Sequence, residues 1–220
     1  MEYYMISDNY HIILKCCSRI CIEEYDDPYE LVYETRGNIE LMNDSDEEID
    51  TIGKFKLYYV DVSRSINRGE DIFEVMDAHS SSVAECFYPI FDKESQEFNE
   101  NIMKLFSYDV LDINLLIIDR LEILPEYRGE KIGLKAMRQL IHRFSLGAGI
   151  VAIKPFPLQF ESTSSHDSEW VNKMQHYKFP INEKECLIKL KNYYAKLGFV
   201  ALKNSKLMVL NTAKRLVNGL

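Results

Sequence analysis

The chain has 220 residues, a formal net charge of −9 and 46% hydrophobic residues. That length allows one large domain or two small ones, and the composition is that of a globular protein with a buried core. The negative charge argues against non-specific nucleic-acid binding. No apolar run is long enough to span a membrane, and residues 1–10 carry no signal-peptide pattern. We therefore expect a cytoplasmic protein without a membrane partner.

The cysteine pattern does not favour a metal centre. Three of the five cysteines cluster as C-C-x3-C near His11, but no second Cys or His pair follows at metal-ligand spacing. We therefore expect reduced thiols and no bound metal. The cysteines are Cys16, Cys17, Cys21, Cys86 and Cys186.

The first part of the chain is acidic. Residues 23–50 carry twelve Asp or Glu side chains against the single Arg36, and we interpret residues 43–50 as a solvated loop. Residues 71–87 have apolar side chains at helical spacing and predict a helix that Pro89 ends. Predicted strands cover residues 11–22, 31–33, 39–42 and 53–65.

Residues 115–134 are the stretch around which the rest of the chain is organised. The apolar run at 115–118 continues as alternating charged and apolar residues to Ile123, which predicts a half-buried strand. Pro125 ends the strand because it has no N–H for a ladder hydrogen bond. After a glycine-containing turn, apolar residues recur at helical spacing to about Phe144.

A turn of this kind, leading into a helix, is suited to bind phosphate. The first N–H groups of a helix attract anions, and Gly129 and Gly133 allow close approach of the backbone. Arg128 and Lys131 add positive charge. A short loop with a solvated Arg and Lys explains the same residues, and spacing alone does not separate the two interpretations.

The last part of the chain contains a long polar segment. A short β-branched strand at 150–153 is followed by Pro155 and Pro157, which exclude a central strand there. Residues 158–185 are either a functional segment or a solvated insertion anchored by Trp170. The remaining predictions are a helix at 186–196, a hairpin formed by 199–202 and 207–210, and a basic tail at 212–220.

Two motifs resemble the GNAT (N-acetyltransferase) superfamily. Residues 124–133 read Leu-Pro-Glu-Tyr-Arg-Gly-Glu-Lys-Ile-Gly and are similar to its acyl-CoA signature, Arg/Gln-x-x-Gly-x-Gly/Ala. Arg128 stands at the first position and Gly133 at the last, but Lys131 replaces the middle glycine. Residues 194–199, Tyr-Ala-Lys-Leu-Gly-Phe, resemble the late Tyr-x-Lys-x-Gly-Phe element. The resemblance covers residues 55–210.

The resemblance implies a single α/β (α+β) domain over residues 1–220. Its mixed, twisted β-sheet would be flanked by helices and splayed at its middle strands, so that a pantetheine arm enters the gap. Residues 1–54 would be a divergent N-terminal part with the acidic segment, and 158–185 an insertion close to an acceptor. Acetyl-CoA would be the cosubstrate, bound by Leu121, Glu122, Ile123, Arg128, Gly129, Glu130, Lys131, Ile132, Gly133 and Leu134.

Acetyl transfer to an amine needs a polarised thioester carbonyl, a base for the amine and a proton donor for the departing thiolate. The resemblance assigns the proton donor to Tyr194. The same side chain could simply pack in the core, and Tyr193 is the neighbouring candidate. The family's cofactor-contacting asparagine is replaced by Leu187.

For the base we prefer Glu122 to Asp119. Strand alternation places these two carboxylates on opposite faces unless a bulge intervenes, so that only one can point to the acceptor. A surface pair of Glu122 with Arg120 or Lys135 is the alternative.

The sequence therefore predicts an acyl-CoA-dependent N-acetyltransferase acting on a primary amine of a small molecule or peptide. One alternative is a non-catalytic acyl-CoA-binding module, in which Lys131 and Leu187 mark lost turnover. Another is an interaction protein that docks a basic partner through segment 23–50. The terminal hairpin could support a homodimer, and the acceptor is not identified.

Overall fold

A single sheet of seven strands runs through the chain. The computed structural model describes residues 10–19, 27–161 and 168–214. The strands are β1 (Tyr10–Ser18), β2 (Val32–Asn43), β3 (Glu48–Val60), β4 (Asn114–Ile123), β5 (Ala148–Ile153), β6 (Val200–Ala201) and β7 (Met208–Asn211). Their order is β1-β2-β3-β4-β5-β7-β6, and only β4 and β5 are parallel neighbours.

Helices cover both faces of the open sheet, so the fold is mixed α/β, as the sequence predicted. The α-helices of the described ranges are α1 (Val62–Arg68), α2 (Ile72–His79), α3 (Ser81–Ala84), α4 (Phe87–Ile90), α5 (Glu100–Leu105), α6 (Ile132–Phe144), α7 (Ser168–Met174) and α8 (Glu183–Ala195). Short 3₁₀ turns occur at Pro28–Leu31, Pro125–Tyr127, Leu158–Phe160 and His176–Lys178.

The sheet separates two apolar cores. One face packs on α1 to α5, through buried side chains such as Val75 and Phe87. The other face packs on α6 and α8, through Met137 and Leu140 among others. Neighbouring residues of a strand serve opposite cores because their side chains alternate between the faces.

The acidic segment forms a β-hairpin, and the predicted loop at 43–50 is wrong beyond its turn. β2 is one strand rather than two short ones, and β3 already begins at Glu48, which pairs with Met42. Buried Glu40 contacts Lys15 Nζ at 3.1 Å, so β1 partly neutralises this segment. The predicted strand at 11–22 ends at Ser18 in β1, and residues 20–22 lie outside the described residues.

Capping side chains explain two further corrections. The predicted strand at 53–65 stops at Val60, because Asp61 accepts a hydrogen bond from the Arg64 N–H and starts α1. The predicted helix at 71–87 is broken into α2, α3 and the start of α4. Ser80 is extended at the break, and its hydroxyl accepts from the Val83 N–H to begin α3.

The C-terminal predictions agree with the structure in type. β6 and β7 form the predicted hairpin. The predicted helix at 186–196 begins earlier, at Glu183, because the Asn182 side chain caps it by accepting from the Glu185 N–H. The end of the basic tail, residues 215–220, lies outside the described residues.

β4 has two halves with different neighbours. Residues 114–118 pair with β3 on one edge and with β5 on the other, whereas the pairing with β5 stops at Ile118. β5 ends at Ile153 and is followed by Lys154 and Pro155. Residues 120–123 keep β3 alone among the described strands, so a gap opens beside them.

Candidate functional site

The turn after β4 places the first backbone N–H groups of α6 at the gap. The first hydrogen bond of the helix runs from the Lys135 N–H to the Lys131 carbonyl at 3.0 Å. The N–H groups of Ile132, Gly133 and Leu134 precede that ladder and can bond to other acceptors, and the Leu134 N–H bonds to the Tyr193 hydroxyl. This is the end of a helix that favours anions.

Lys131 occupies the position where the resembled signature has its middle glycine, and its backbone shows why glycine suits that position. Its φ is 57° and its ψ is 15°, in the left-handed region. A non-glycine residue pays roughly 1–2 kcal/mol for this conformation. Gly129 also has a positive φ, of 97°. The turn therefore has a left-handed backbone at a position that carries a cationic side chain.

Gly133 gives room for the Tyr193 side chain at the start of α6. A Cβ atom at Gly133 would lie 2.5 Å from the Tyr193 hydroxyl oxygen. The Leu134 N–H donates a hydrogen bond to the same hydroxyl, which acts to lower the pKa of Tyr193, but burial outweighs it and raises that pKa to about 12. Tyr193 thus closes the end of α6 in this structure.

Arg128 is packed rather than solvated. Its Nε donates to the Ile123 carbonyl at 2.7 Å, and its guanidinium lies 4.2 Å from the centre of the Phe179 ring. Burial lowers the pKa of Arg128 to about 10, so the side chain stays cationic at neutral pH. Arg128 ties the end of β4 to the segment at 158–185.

A cavity of about 610 Å³ fills the gap. Its walls are the end of β4, the turn, the start of α6 and the inner face of α8. It brings together nine of the ten predicted cofactor residues, all except Glu130, with Tyr193 and the predicted proton donor Tyr194. On α8 it is lined by Lys189 and Leu190, not by Leu187.

Tyr194 packs deeper than Tyr193. Its side chain is 7% exposed and meets the Phe199 ring edge-on, at 6.2 Å between centroids. Burial raises its pKa well above that of an ordinary phenol, so the hydroxyl remains protonated at neutral pH. The two tyrosine rings also contact one another.

A β-bulge at Asp119 decides where the two candidate carboxylates lie. Lys56 pairs with Arg120 and Leu57 with Ile118, so Asp119 is the extra residue. Ile118 and Leu121 both pack on the α6 core, although they are three positions apart. The bulge that the sequence analysis left open as the exception is therefore present, and it turns both Asp119 and Glu122 to the other face.

Glu122 is buried and held from two sides. Only 5% of the residue is exposed. Arg120 Nη1 donates to Oε1 and Trp170 Nε1 donates to Oε2, each at 2.8 Å. The second guanidinium nitrogen of Arg120 binds Glu161 at 2.5 Å. The predicted pair with Arg120 exists, but it is buried rather than on the surface.

A second cavity, of about 720 Å³, lies on that other face of the sheet. Five cationic side chains line it, several of them paired with acids, as Lys56 is with Asp119 at 3.2 Å. The cations are Lys15, Arg36, Lys54, Lys56 and Arg120. The two cavities share four lining residues, which are Glu122, Leu158, Met174 and His176.

His176 stands at this junction, and its Nε2 is buried without a hydrogen-bond partner among the described residues. Burial lowers the pKa of His176, opposed by Glu122 and assisted by Arg128 and Arg120. The imidazole is therefore neutral at neutral pH. Sequence reasoning gave His176 no role, because neither its spacing nor its neighbours mark it.

The segment at 158–185 contributes several side chains to the site. Trp170, which the sequence suggested as an anchor, binds Glu122; Phe179 lines the first cavity, and His176 lines both. Gln175, just before His176, has a φ of 48°, an uncommon backbone for this residue type. The serines at 162, 164 and 165, Thr163 and His166 lie outside the described residues.

The described ranges of the chain contain neither a metal-binding cluster nor a membrane-spanning helix. No group of three or more His, Cys, Asp or Glu side chains is arranged to hold a metal ion there. No helix there has the length and apolar character needed to cross a membrane.

Comparison with family models, with curated proteins and with solved structures finds no match to this chain.

Proposed function

We propose that the chain is an acyl-CoA-dependent N-acetyltransferase with a GNAT-like splayed sheet. In this proposal acetyl-CoA occupies the first cavity and a primary amine reaches the thioester from the second. The observation that carries the proposal is the edge of β4 at 120–123, which lacks a second neighbour among the described strands and lies beside the first turn of α6. One groove thus joins this strand edge to a helix end of the kind that favours anions.

The first cavity suits the two chemical parts of coenzyme A. Diphosphate oxygens would accept from the N–H groups at 132–134, with Lys131 adding charge at the mouth. The pantetheine amides would pair with the strand backbone at 121–123, as a missing strand would. For the Leu134 N–H to bind phosphate, the Tyr193 hydroxyl has to move away from it.

The chemistry follows from the same placement. A backbone N–H of β4 would polarise the thioester carbonyl. Tyr194, kept protonated by its raised pKa, would give a proton to the departing thiolate. The junction of the cavities is where the amine would meet the acyl carbon, and Glu122 lies there.

Calorimetric titration with acetyl-CoA, CoA and pantetheine tests the binding step. Lys131→Glu should lower the affinity for CoA by at least about tenfold, because it reverses the charge at the helix end. The same variant should bind pantetheine, which carries no phosphate, with nearly unchanged affinity. Lys135→Glu is the matched control, since it makes the same charge change at an exposed position one turn further on.

Absence of binding heat for both acetyl-CoA and CoA in a folded sample would overturn the proposal. Tight binding without CoA release in the presence of any amine would support the non-catalytic binding module. The docking alternative predicts instead a complex that weakens steeply with salt and is insensitive to CoA.

A further inference from the structure

Acetyl transfer, the proposed function on which this inference rests, needs a group that takes the proton of the acceptor amine. A base for this step must reach both the acyl carbon and the incoming nitrogen. Among the described residues, the shared lining of the two cavities meets that condition. Of its four members, Leu158 and Met174 have no basic atom, which leaves Glu122 and His176.

Glu122 is poorly placed to act as the base. Each of its carboxylate oxygens already accepts a hydrogen bond at 2.8 Å, one from a cation and one from an indole. The bond from Arg120 pairs the carboxylate with a buried cation, and both bonds hold the side chain in one position. Taking up a proton there would weaken a buried ion pair.

His176 has the opposite character. Its Nε2 has no partner among the described residues although it is shielded from solvent, and a buried nitrogen of this kind calls for an explanation. Its ring lies 6.0 Å from the Phe179 ring, which holds it between the cavities. The charged groups that act on it are Glu122 and Arg120 from β4, Arg128 from the turn, and Glu161.

We propose that His176 Nε2 is the catalytic base that accepts the amine proton, and that Glu122 is a positioning residue. The amine nitrogen bonds to the thioester carbon, and the carbonyl π pair moves to oxygen. Nε2 takes the N–H proton. When the intermediate collapses, the C–S bond breaks and its electron pair leaves on the CoA sulfur. Tyr194 then protonates that thiolate, and the imidazolium gives up its proton as the tyrosinate takes one back through solvent, so that both groups end in their starting states.

The test measures release of CoA thiol from acetyl-CoA from about pH 5 to about pH 9, with water and with hydroxylamine as probe acceptors. Rates with hydroxylamine are divided by its unprotonated fraction at each pH, because hydroxylamine itself titrates in this range. The wild-type rate should fall on the acidic side as His176 becomes protonated, below the usual histidine range. His176→Gln should lose about 10²–10⁴-fold in rate together with that acidic limb. Its affinity for CoA should stay within about twofold, because the CoA phosphates bind elsewhere.

Glu122→Gln separates the two candidates. If His176 is the base, this variant keeps an acidic limb, which moves to lower pH because a carboxylate that raised the pKa of His176 is gone. If Glu122 is the base, the limb disappears in Glu122→Gln and persists in His176→Gln. His142→Gln, at an exposed position of α6, is the control and should match wild type.

Imidazole should partly restore turnover in His176→Gly, which a purely structural role would not allow. Unchanged rates and pH profile in His176→Gln, with CoA binding intact, would overturn this inference and leave the proposed function standing. Loss of all CoA binding by the wild type would overturn both.

Discussion

The two halves of β4 are one strand in two different surroundings. Residues 114–118 have β3 and β5 as neighbours and are buried without interruption. Among the described strands, residues 120–123 have β3 alone; they follow the bulge at Asp119 and carry the charged side chains Arg120 and Glu122. Beside this half lies a cavity, and the bulge turns a carboxylate to the face where the second cavity lies. We therefore expect the first half to contribute more to stability, and the second half to form part of the proposed site.

The largest expected effect is on stability, and it tests whether the two halves of β4 differ. Leu116→Ala, at a fully buried side chain of the first half, should lower the free energy of unfolding by about 2–5 kcal/mol. Leu121→Ala, at a half-buried side chain of the second half, should lower it by less than half as much. Chemical denaturation measures both. Equal losses would mean that the second half is ordinary core.

For ligand binding, Leu121→Ala should have the larger effect of the two variants. It should lower the affinity for acetyl-CoA in a calorimetric titration, because Leu121 lines the first cavity. Leu116→Ala should leave the affinity of the folded fraction unchanged.

Trp170→Phe tests how far the second half depends on the segment at 158–185. The change leaves Glu122 Oε2 buried without its indole donor, which should cost about 1–3 kcal/mol of stability. The double variant Trp170→Phe/Glu122→Gln should lose less stability than the two single variants lose together, because both changes remove the same hydrogen bond. Strict additivity in denaturant unfolding would show that the hydrogen bond contributes nothing.

Tyr193→Phe should change stability at alkaline pH. The folded pKa of Tyr193, about 12, lies above the value of about 10 for an unfolded tyrosine. Its contribution is therefore complete below about pH 10 and is lost as the pH rises towards 12. The wild type should lose stability more steeply in that window than Tyr193→Phe does. Tyr177→Phe, at a residue that is 80% exposed, is the control and should follow the wild type.

The smallest expected effect concerns the turn that faces the open half. Lys131→Gly relieves a left-handed backbone and should raise the free energy of unfolding by about 0.5–1 kcal/mol. Lys135→Gly, inside α6, should lower it by about 1 kcal/mol. Thermal unfolding compares the two. A loss in both variants would show that the Lys131 side chain stabilises the turn.

Local signals were sufficient for the elements around the site. The strand ending near Pro125, the turn and the helix to Phe144 were all predicted from period, proline and glycine, because each depends on near neighbours in the chain. The candidate cofactor residues are consecutive or nearly so, and for that reason the fold brings most of them to one cavity. Where capping residues decided the outcome, at Asp61 and Ser80, reading apolar runs alone placed the boundaries wrongly.

The sequence by itself determined the mixed α/β class of the fold, the strand and helix at its centre, and the position of the turn between them. Tertiary structure alone decided what those residues meet. The bulge at Asp119 depends on register with β3, and alternation along one strand cannot reveal it. Trp170 and His176 lie about 50 positions after Glu122 in the chain, in a segment without periodicity. Trp170 bonds to Glu122, and His176 is close enough for that carboxylate to affect its pKa. Such long-range contacts are fixed by packing, which no local pattern encodes.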